Sequence, residues 1–249
     1  MIDIHSHVLP GVDDGSESME MSLEMLALAA ESGVRTIVST HHCNIPGEYD
    51  NYADESLLER WRQLDRRREE ARIPIRLCRG MEIFATEELP SLLTEGRVWT
   101  LNETDYFLTE FAFHEDPDFC VDILQKCSRL GYRPIIAHPE RYSFLQRYPQ
   151  LAFELCVNGY GLQINKGSLL GRFGPAAKRL ADLLIQHGLC ACVASDAHRS
   201  YGRNTNLREV RAFLNREYTE DYMRLLLEEN PKRILSGQEL LGYEPIPFR

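Results

Sequence analysis

Seven short runs rich in β-branched and other apolar residues recur along this 249-residue chain, and stretches of helical period separate most neighbours. The runs are residues 2–5, 35–40, 75–80, 106–110, 134–138, 162–165 and 190–195. Between the first two, Met19, Leu23, Leu26, Ala27 and Ala30 share one helical face, and Gly33 supplies the stop signal. The charged segment 55–72 turns Leu57, Leu58, Trp61 and Leu64 to one side, and the patterns 119–130 and 175–187 end at Gly131 and Gly188. Strand and helix alternating in this way predicts a parallel β/α architecture. No linker or repeat divides the chain, so residues 1–249 are expected to form one domain, with the part after about residue 203 helical and packed outside.

Charge and apolar patterning exclude several functions. The formal net charge is −10, which offers no basic footprint for nucleic acid. The apolar runs are short and interrupted, so no direct membrane insertion is expected. MIDIHSH enters polar chemistry at once, without a signal-peptide pattern, and the expected location is cytoplasmic. Seven cysteines without framework spacing read as buried free thiols in a reducing compartment.

The chemistry stands at the strand ends. The first run ends in His5-Ser6-His7, the second leads to His41-His42 and the third to Glu82; the fourth ends at Glu110, the fifth at His138 and the seventh in Ser195-Asp196-Ala197-His198. Only the sixth, ending near Asn165-Lys166, lacks an evident ligand. In closed β/α barrels the C-terminal strand ends meet at one mouth, so six strands would bring metal-binding side chains to one place. Residues two apart on an extended chain point the same way, which lets His5 and His7, or Asp196 and His198, serve one ion. This nitrogen and oxygen set suits Mn²⁺, Zn²⁺ or Fe²⁺ and not a thiolate site. In the loop Gly11-Val12-Asp13-Asp14-Gly15, Asp14 is the expected ligand, with Asp13 as the candidate for an outward-facing acid.

MIDIHSHVLPGVDDG, STHH, GMEIF, LTEF, IIAHPERY and VASDAHR, in that order, resemble the motifs of the PHP (polymerase and histidinol phosphatase) superfamily. Within it the chain most resembles the bacterial protein-tyrosine phosphatases associated with capsular and exopolysaccharide synthesis. That resemblance implies a distorted seven-stranded (β/α)7 TIM-like barrel, a single PHP phosphoesterase domain and three divalent metal ions. Manganese is the usual ion, with Fe²⁺, Zn²⁺ or Mg²⁺ as the others. The implied substrate and partner is the phosphorylated tyrosine kinase of the polysaccharide-synthesis system. Carried over by position, His5, His7, Glu82 and Asp196 would hold one metal. Glu82, Glu110 and His138 would hold a second, and Asp14, His42 and His198 a third. His41 stays outside the set. Three divalent ions against four carboxylates would leave the mouth positive by about two charges inside an acidic protein.

Arg141 and Arg203 match the family's phosphate-binding arginines, with Arg199 as a rival to Arg203; a guanidinium grips two phosphate oxygens where a lysine cannot. The expected reaction is in-line attack on phosphorus by a metal-activated hydroxide, with His42 or His198 as donors to the leaving group. Phe84, Phe113 and Tyr142 either flank a substrate ring or belong to the core. Four other readings compete. They are a histidinol-phosphate phosphatase, a nuclease, a non-catalytic metal-binding scaffold, and a cysteine-dependent phosphatase built on the C-x5-R spacing of Cys127 and Arg133. The last is disfavoured because Cys127 falls late in a helical pattern, with bulky Leu130 and Tyr132 where a phosphate loop needs small residues.

Overall fold

A computed structural model of the chain describes residues 1–242 and 245–248. Its parallel strands are β1 (Ile2–Ser6), β2 (Thr36–Cys43), β3 (Arg76–Phe84), β4 (Tyr106–Glu110), β5 (Arg133–Ala137), β6 (Gly161–Asn165) and β7 (Cys192–Ala194), hydrogen-bonded in sequence order. The main intervening helices are α1 (Met19–Ser32), α2 (Glu55–Glu70), α3 (Leu89–Thr94) and α4 (Pro117–Arg129). Between β5 and β7 lie the short α5 (Ser143–Arg147), α6 (Gln150–Val157) and α7 (Lys166–Leu169), then α8 (Gly174–Gln186). After β7 come α9 (Arg208–Glu217), α10 (Glu220–Arg224), a π-helical turn (Leu225–Glu229) and α11 (Asn230–Ile234).

The edge strands meet through a single bridge, Ser6 to Ala197, supported by His7 N–H donating to Ala197 O at 2.8 Å and Asp196 N–H to His5 O at 2.9 Å. The barrel is therefore nearly closed and uneven. β2 and β3 pair continuously from Thr36↔Arg76 to Cys43↔Ile83, whereas β6 and β7 pair over only three positions.

Local chemistry explains the elements. The Ser18 hydroxyl caps α1 by accepting from Met21 N–H, and Gly33 ends it at φ +96°, a conformation that strains residues with a Cβ. Asp54 caps α2 in the same way, accepting from Leu57 N–H at 2.7 Å. Alternation along the strands divides the apolar residues into two layers. Ile37, Phe107, Ile136, Leu162 and Val193 pack with Leu26, Leu64, Leu124 and Leu184 of the helices. Val38, Cys78, Leu108, Ile135, Cys192 and Ala194 form a smaller cluster inside the barrel.

The C-terminal segment corrects one expectation. Helix covers residues 208–217 and 220–234, while 235–242 and 245–248 run on without helix; Ile234 and Leu235 belong to the interior cluster, and Asn102 and Thr104 donate to the Leu235 and Ile234 carbonyls at 2.9 and 3.1 Å. α11 thus plugs the end of the barrel opposite the strand C-termini, an end whose apolar lining would otherwise meet water. Among the described residues no helix is long and apolar enough to cross a membrane.

Candidate metal centre

The C-terminal strand ends converge on one cavity of about 340 Å³, lined by Asp14, His42, Glu82, Glu110, His138, Asp196 and His198 together with Arg141 and Arg203. His5, in β1, and His7, just beyond it, are fully buried at its floor. Two of the converging residues sit in strained backbone: His138 at φ +36° and Asp196 at φ +48°. Left-handed conformations cost a residue with a Cβ about 1–3 kcal/mol and persist where a site needs a particular aim.

Glu82 is the hub. Its Oε2 lies 3.1 Å from His5 Nε2, 3.2 Å from His7 Nε2 and 3.3 Å from His42 Nδ1, while Oε1 is 2.8 Å from His138 Nε2. Asp196 Oδ1 stands 3.5 Å from the Nε2 atoms of both His5 and His7. Glu110 Oε1 is 2.8 Å from His42 Nδ1, and Glu110 Oε2 is 3.8 Å from His138 Nε2. On the solvent side Asp14 Oδ1 lies 3.5 Å from His42 Nε2 and 3.3 Å from His198 Nε2. Ligand atoms fall into three compact groups: His5, His7, Glu82 and Asp196; His42, Glu82 and Glu110; and His7, Asp14, His42 and His198. The first coincides with an expected set. The other two add His42 and His7 to neighbours already expected, and His138 approaches the second group through Glu82.

The donor set fits cations. His5 Nδ1 faces Gln163 Oε1 at 2.6 Å and His7 Nδ1 faces Asp13 Oδ2 at 2.7 Å. Both partners accept only, so each Nδ1 carries the hydrogen and, in the neutral ring, each Nε2 presents a lone pair. Those Nε2 atoms are 3.3 Å apart and point at carboxylate oxygens. Glu82 Oε2 and Glu110 Oε1 are buried without a hydrogen bond. Acceptors crowded together in this way are satisfied by positive charge, and ligands about 2.1 Å from a shared ion stand roughly 3 Å apart.

The buried carboxylates demand positive charge, whether from protons or from cations. Burial alone would protonate Glu82 and Asp196, but His5 and its neighbours outweigh it and hold both carboxyls well below their ordinary range. Burial pushes His7 down, and the Asp13 carboxylate overrides this and raises it well above its ordinary value. For His42 burial is again outweighed, here by Glu82 and Glu110, and its pKa rises to about 9. Burial wins at His198, which falls to about 4 and stays neutral.

Three supporting residues were not expected from sequence. The Asp13 carboxylate is buried and not outward-facing: it holds His7 and also accepts from the N–H groups of Gly15 and His42, each at 2.9 Å. From β6, the strand without a ligand, Gln163 orients His5, and Asn165 Nδ2 donates to Asp196 Oδ2 at 2.5 Å. Polar residues two apart inside the apolar run Gly161–Asn165 were the available signal.

The arginines separate. Arg203 donates from Nε to Asp196 O at 3.0 Å and places Nη2 2.5 Å from Asp196 Oδ1. Arg141 Nη1 is 3.8 Å from Asp196 Oδ2. Arg199 is turned away, bonded to the Asp14 and Gly15 carbonyls and paired with Glu17 at 3.1 Å. Of the aromatic candidates, Phe113 is 41% exposed at the mouth and Phe84 lines the cavity. Tyr142 is core: fully buried, it donates to Ala137 O at 2.9 Å and accepts from Phe111 N–H at 3.1 Å.

His41 points the other way from His42, buried against the edge of Trp99, with neither ring nitrogen hydrogen-bonded. Burial lowers its pKa from 6.5 to about 4. Between those values the unfolded chain binds a proton that the native state refuses, so stability falls as pH falls through that window. Chemical denaturation in chelator should show wild type losing about 3 kcal/mol more than His41→Gln between pH 6.5 and 4. Equal losses would refute a buried neutral His41.

Cys127 lies in α4 within the core, and burial lifts its thiol to about 12. Arg133 opens β5, at the barrel end away from the mouth, and pairs with Asp105 at 2.8 Å. The C-x5-R spacing therefore forms no phosphate loop. Cys127→Ser is expected to leave kcat and metal content unchanged; loss of turnover with metal retained would reinstate a cysteine nucleophile. All seven thiols are free, and six are buried.

A family model described as capsular polysaccharide synthesis, CpsB/CapC, matches residues 1–236. The tyrosine-protein phosphatase YwqE of Bacillus subtilis (strain 168) is 35% identical over 249 residues, which is all of this chain and 97% of that protein. A chain from the crystal structures of YwqE from Bacillus subtilis and CpsB from Streptococcus pneumoniae, described as unique metal-dependent tyrosine phosphatases, superposes with a TM-score of 0.91 at 34% identity, over 100% of both chains. The histidinol phosphate phosphatase of Lactococcus lactis shares the fold, with a TM-score of 0.59 at 16% identity, over 87% of this chain and 94% of that one.

Proposed function

The chain belongs to the CpsB/CapC family of capsular polysaccharide synthesis, and on that premise we propose that it is a metal-dependent tyrosine-protein phosphatase working through the cluster around Glu82. The observation that carries this reading is the meeting of Glu82 Oε2 with three imidazole nitrogens at 3.1–3.3 Å beneath two arginines. His5, His7, Glu82 and Asp196 hold one cation; Glu82, Glu110 and His138 a second; Asp14, His42 and His198 a third. When bound, these ions, manganese in our assignment, supply the Lewis acidity and positive charge that make water a nucleophile near neutral pH.

The chain's own residues do the rest. Asp13 and Gln163 fix the tautomers of His7 and His5, so that both lone pairs face inward. Arg141 and Arg203 hold the non-bridging phosphoryl oxygens and stabilise charge that develops as the ester bond breaks. Phe113, exposed beside Arg141, receives the substrate ring. The leaving phenolate is already stabilised and needs little acid. Neutral His198 suits a ligand.

The whole of 1–249 acts as one phosphoesterase unit in the cytoplasm, on the phosphorylated tail of the tyrosine kinase that governs polysaccharide synthesis. Initial rates on a phosphotyrosine peptide, histidinol phosphate and single-stranded DNA, with Mn²⁺ and with chelator, test the proposal. Preference for the peptide, abolished by chelator, is expected. Preference for histidinol phosphate, or no hydrolysis with metal, would overturn it.

A further inference from the structure

One aromatic ring touches both arginines. The guanidinium carbon of Arg141 lies 5.0 Å from the centre of the Phe173 ring, and that of Arg203 lies 5.6 Å from the same ring. Arg141 also stands 4.4 Å from the Phe113 ring, so its cation is flanked by two aromatic rings. The local backbone is shaped to place Phe173 there. It sits between α7 and α8 in the turn Gly171-Arg172-Phe173-Gly174, whose two glycines adopt φ +75° and +88°. The ring packs on Gly167, where an added Cβ would come within 2.4 Å of Phe173 Cε2 and 3.0 Å of Cδ2. A side chain at position 167 would therefore displace the ring.

Two guanidinium groups brought to one place repel, and among the described residues the carboxylate that both pair with is Asp196, with Arg203 at 2.5 Å and Arg141 at 3.8 Å. The negative face of an aromatic ring offsets part of that repulsion and restricts where each guanidinium can go. We propose that Phe173 is the positioning residue that holds Arg141 and Arg203 as a pair facing the mouth, and so sets the site's affinity for the phosphoryl group. This inference rests on the reading of both arginines as phosphate holders.

The test uses the metal-loaded enzyme and its Phe173→Leu, Phe173→Tyr and Gly167→Ala variants. The measurements are kcat, KM for a phosphotyrosine peptide, inhibition by inorganic phosphate, and bound metal. Leucine fills space but has no aromatic face. Phe173→Leu should weaken phosphate inhibition and raise KM together by about tenfold, with metal content unchanged and kcat less affected. Phe173→Tyr should restore both values, and Gly167→Ala should reproduce the leucine defect. Normal phosphate inhibition in a folded Phe173→Leu enzyme would overturn the proposal, as would a tyrosine variant no better than leucine. If Phe173→Leu fails to fold, normal inhibition in Gly167→Ala overturns it instead. Arg141→Ala and Arg203→Ala distinguish the two levels. If neither weakens phosphate inhibition, the underlying reading of the arginines fails; if they do and the Phe173 and Gly167 variants do not, only the present inference fails.

Discussion

Glu82→Gln is expected to lower phosphotyrosine hydrolysis by more than about 100-fold, beyond the 10- to 100-fold that losing a supporting partner costs a metal site. The substitution keeps the volume of a fully buried side chain, so the barrel should still form. Its consequence is electrostatic. Glu82 is the carboxylate common to His5, His7, His42 and His138, all within 3.3 Å of one or other of its oxygens. An amide lowers the negative charge at the hub by one and replaces a ligand oxygen by an N–H₂, which offers no lone pair to a cation. Bound metal measured by elemental analysis should fall together with kcat at saturating Mn²⁺. A variant that keeps full metal and more than about a tenth of wild-type kcat would remove Glu82 from the centre of the site.

Arg203→Lys should reduce kcat/KM by about 100-fold while leaving metal content unchanged, the scale of losing one group that stabilises transition-state charge. Arg203 is aimed by two contacts with one residue, Nε to Asp196 O and Nη2 to Asp196 Oδ1. It is carried on a turn that closes where His198 and Arg199 N–H both donate to the Arg203 carbonyl, at 2.8 and 3.1 Å. Lysine keeps the charge but has no planar fork, so it cannot hold Asp196 and still present a second donor to phosphate. A lysine variant within about threefold of wild type would show that only charge matters at this position.

The strand pattern was legible because it is local. Tyr106–Glu110 matches the expected run, and the other six strands differ by a few residues at their ends. The largest extension is β3, which continues through Glu82 to Phe84, so Glu82 lies within the strand and not after it. The short helices α5, α6 and α7 had no such signature, being too brief for a helical period to repeat. The inward role of α11 escaped for another reason: Ile234 and Leu235 read as helix whether they cover the barrel or plug it.

At the site, the chain order of histidines and acids already pointed to a shared mouth, since strand ends in a parallel barrel have only one side on which to meet. What remained hidden were the partners that orient them. Asp13 and Asp14 are adjacent acids in one loop, and only the folded loop turns the first under His7 and leaves the second toward His198.

By itself, therefore, the sequence determined the alternation of strand and helix, the histidines and acids near the C-terminal ends of the strands and the rejection of a cysteine mechanism, because periodicity, caps and turns act over a few residues. The tertiary structure alone decided that Gln163 orients His5 from 158 positions away, that Asn165 braces Asp196, and that Phe173 lies under two arginines. Those contacts depend on strand register and on how nearly the barrel closes, and both are set by packing among segments far apart in the chain.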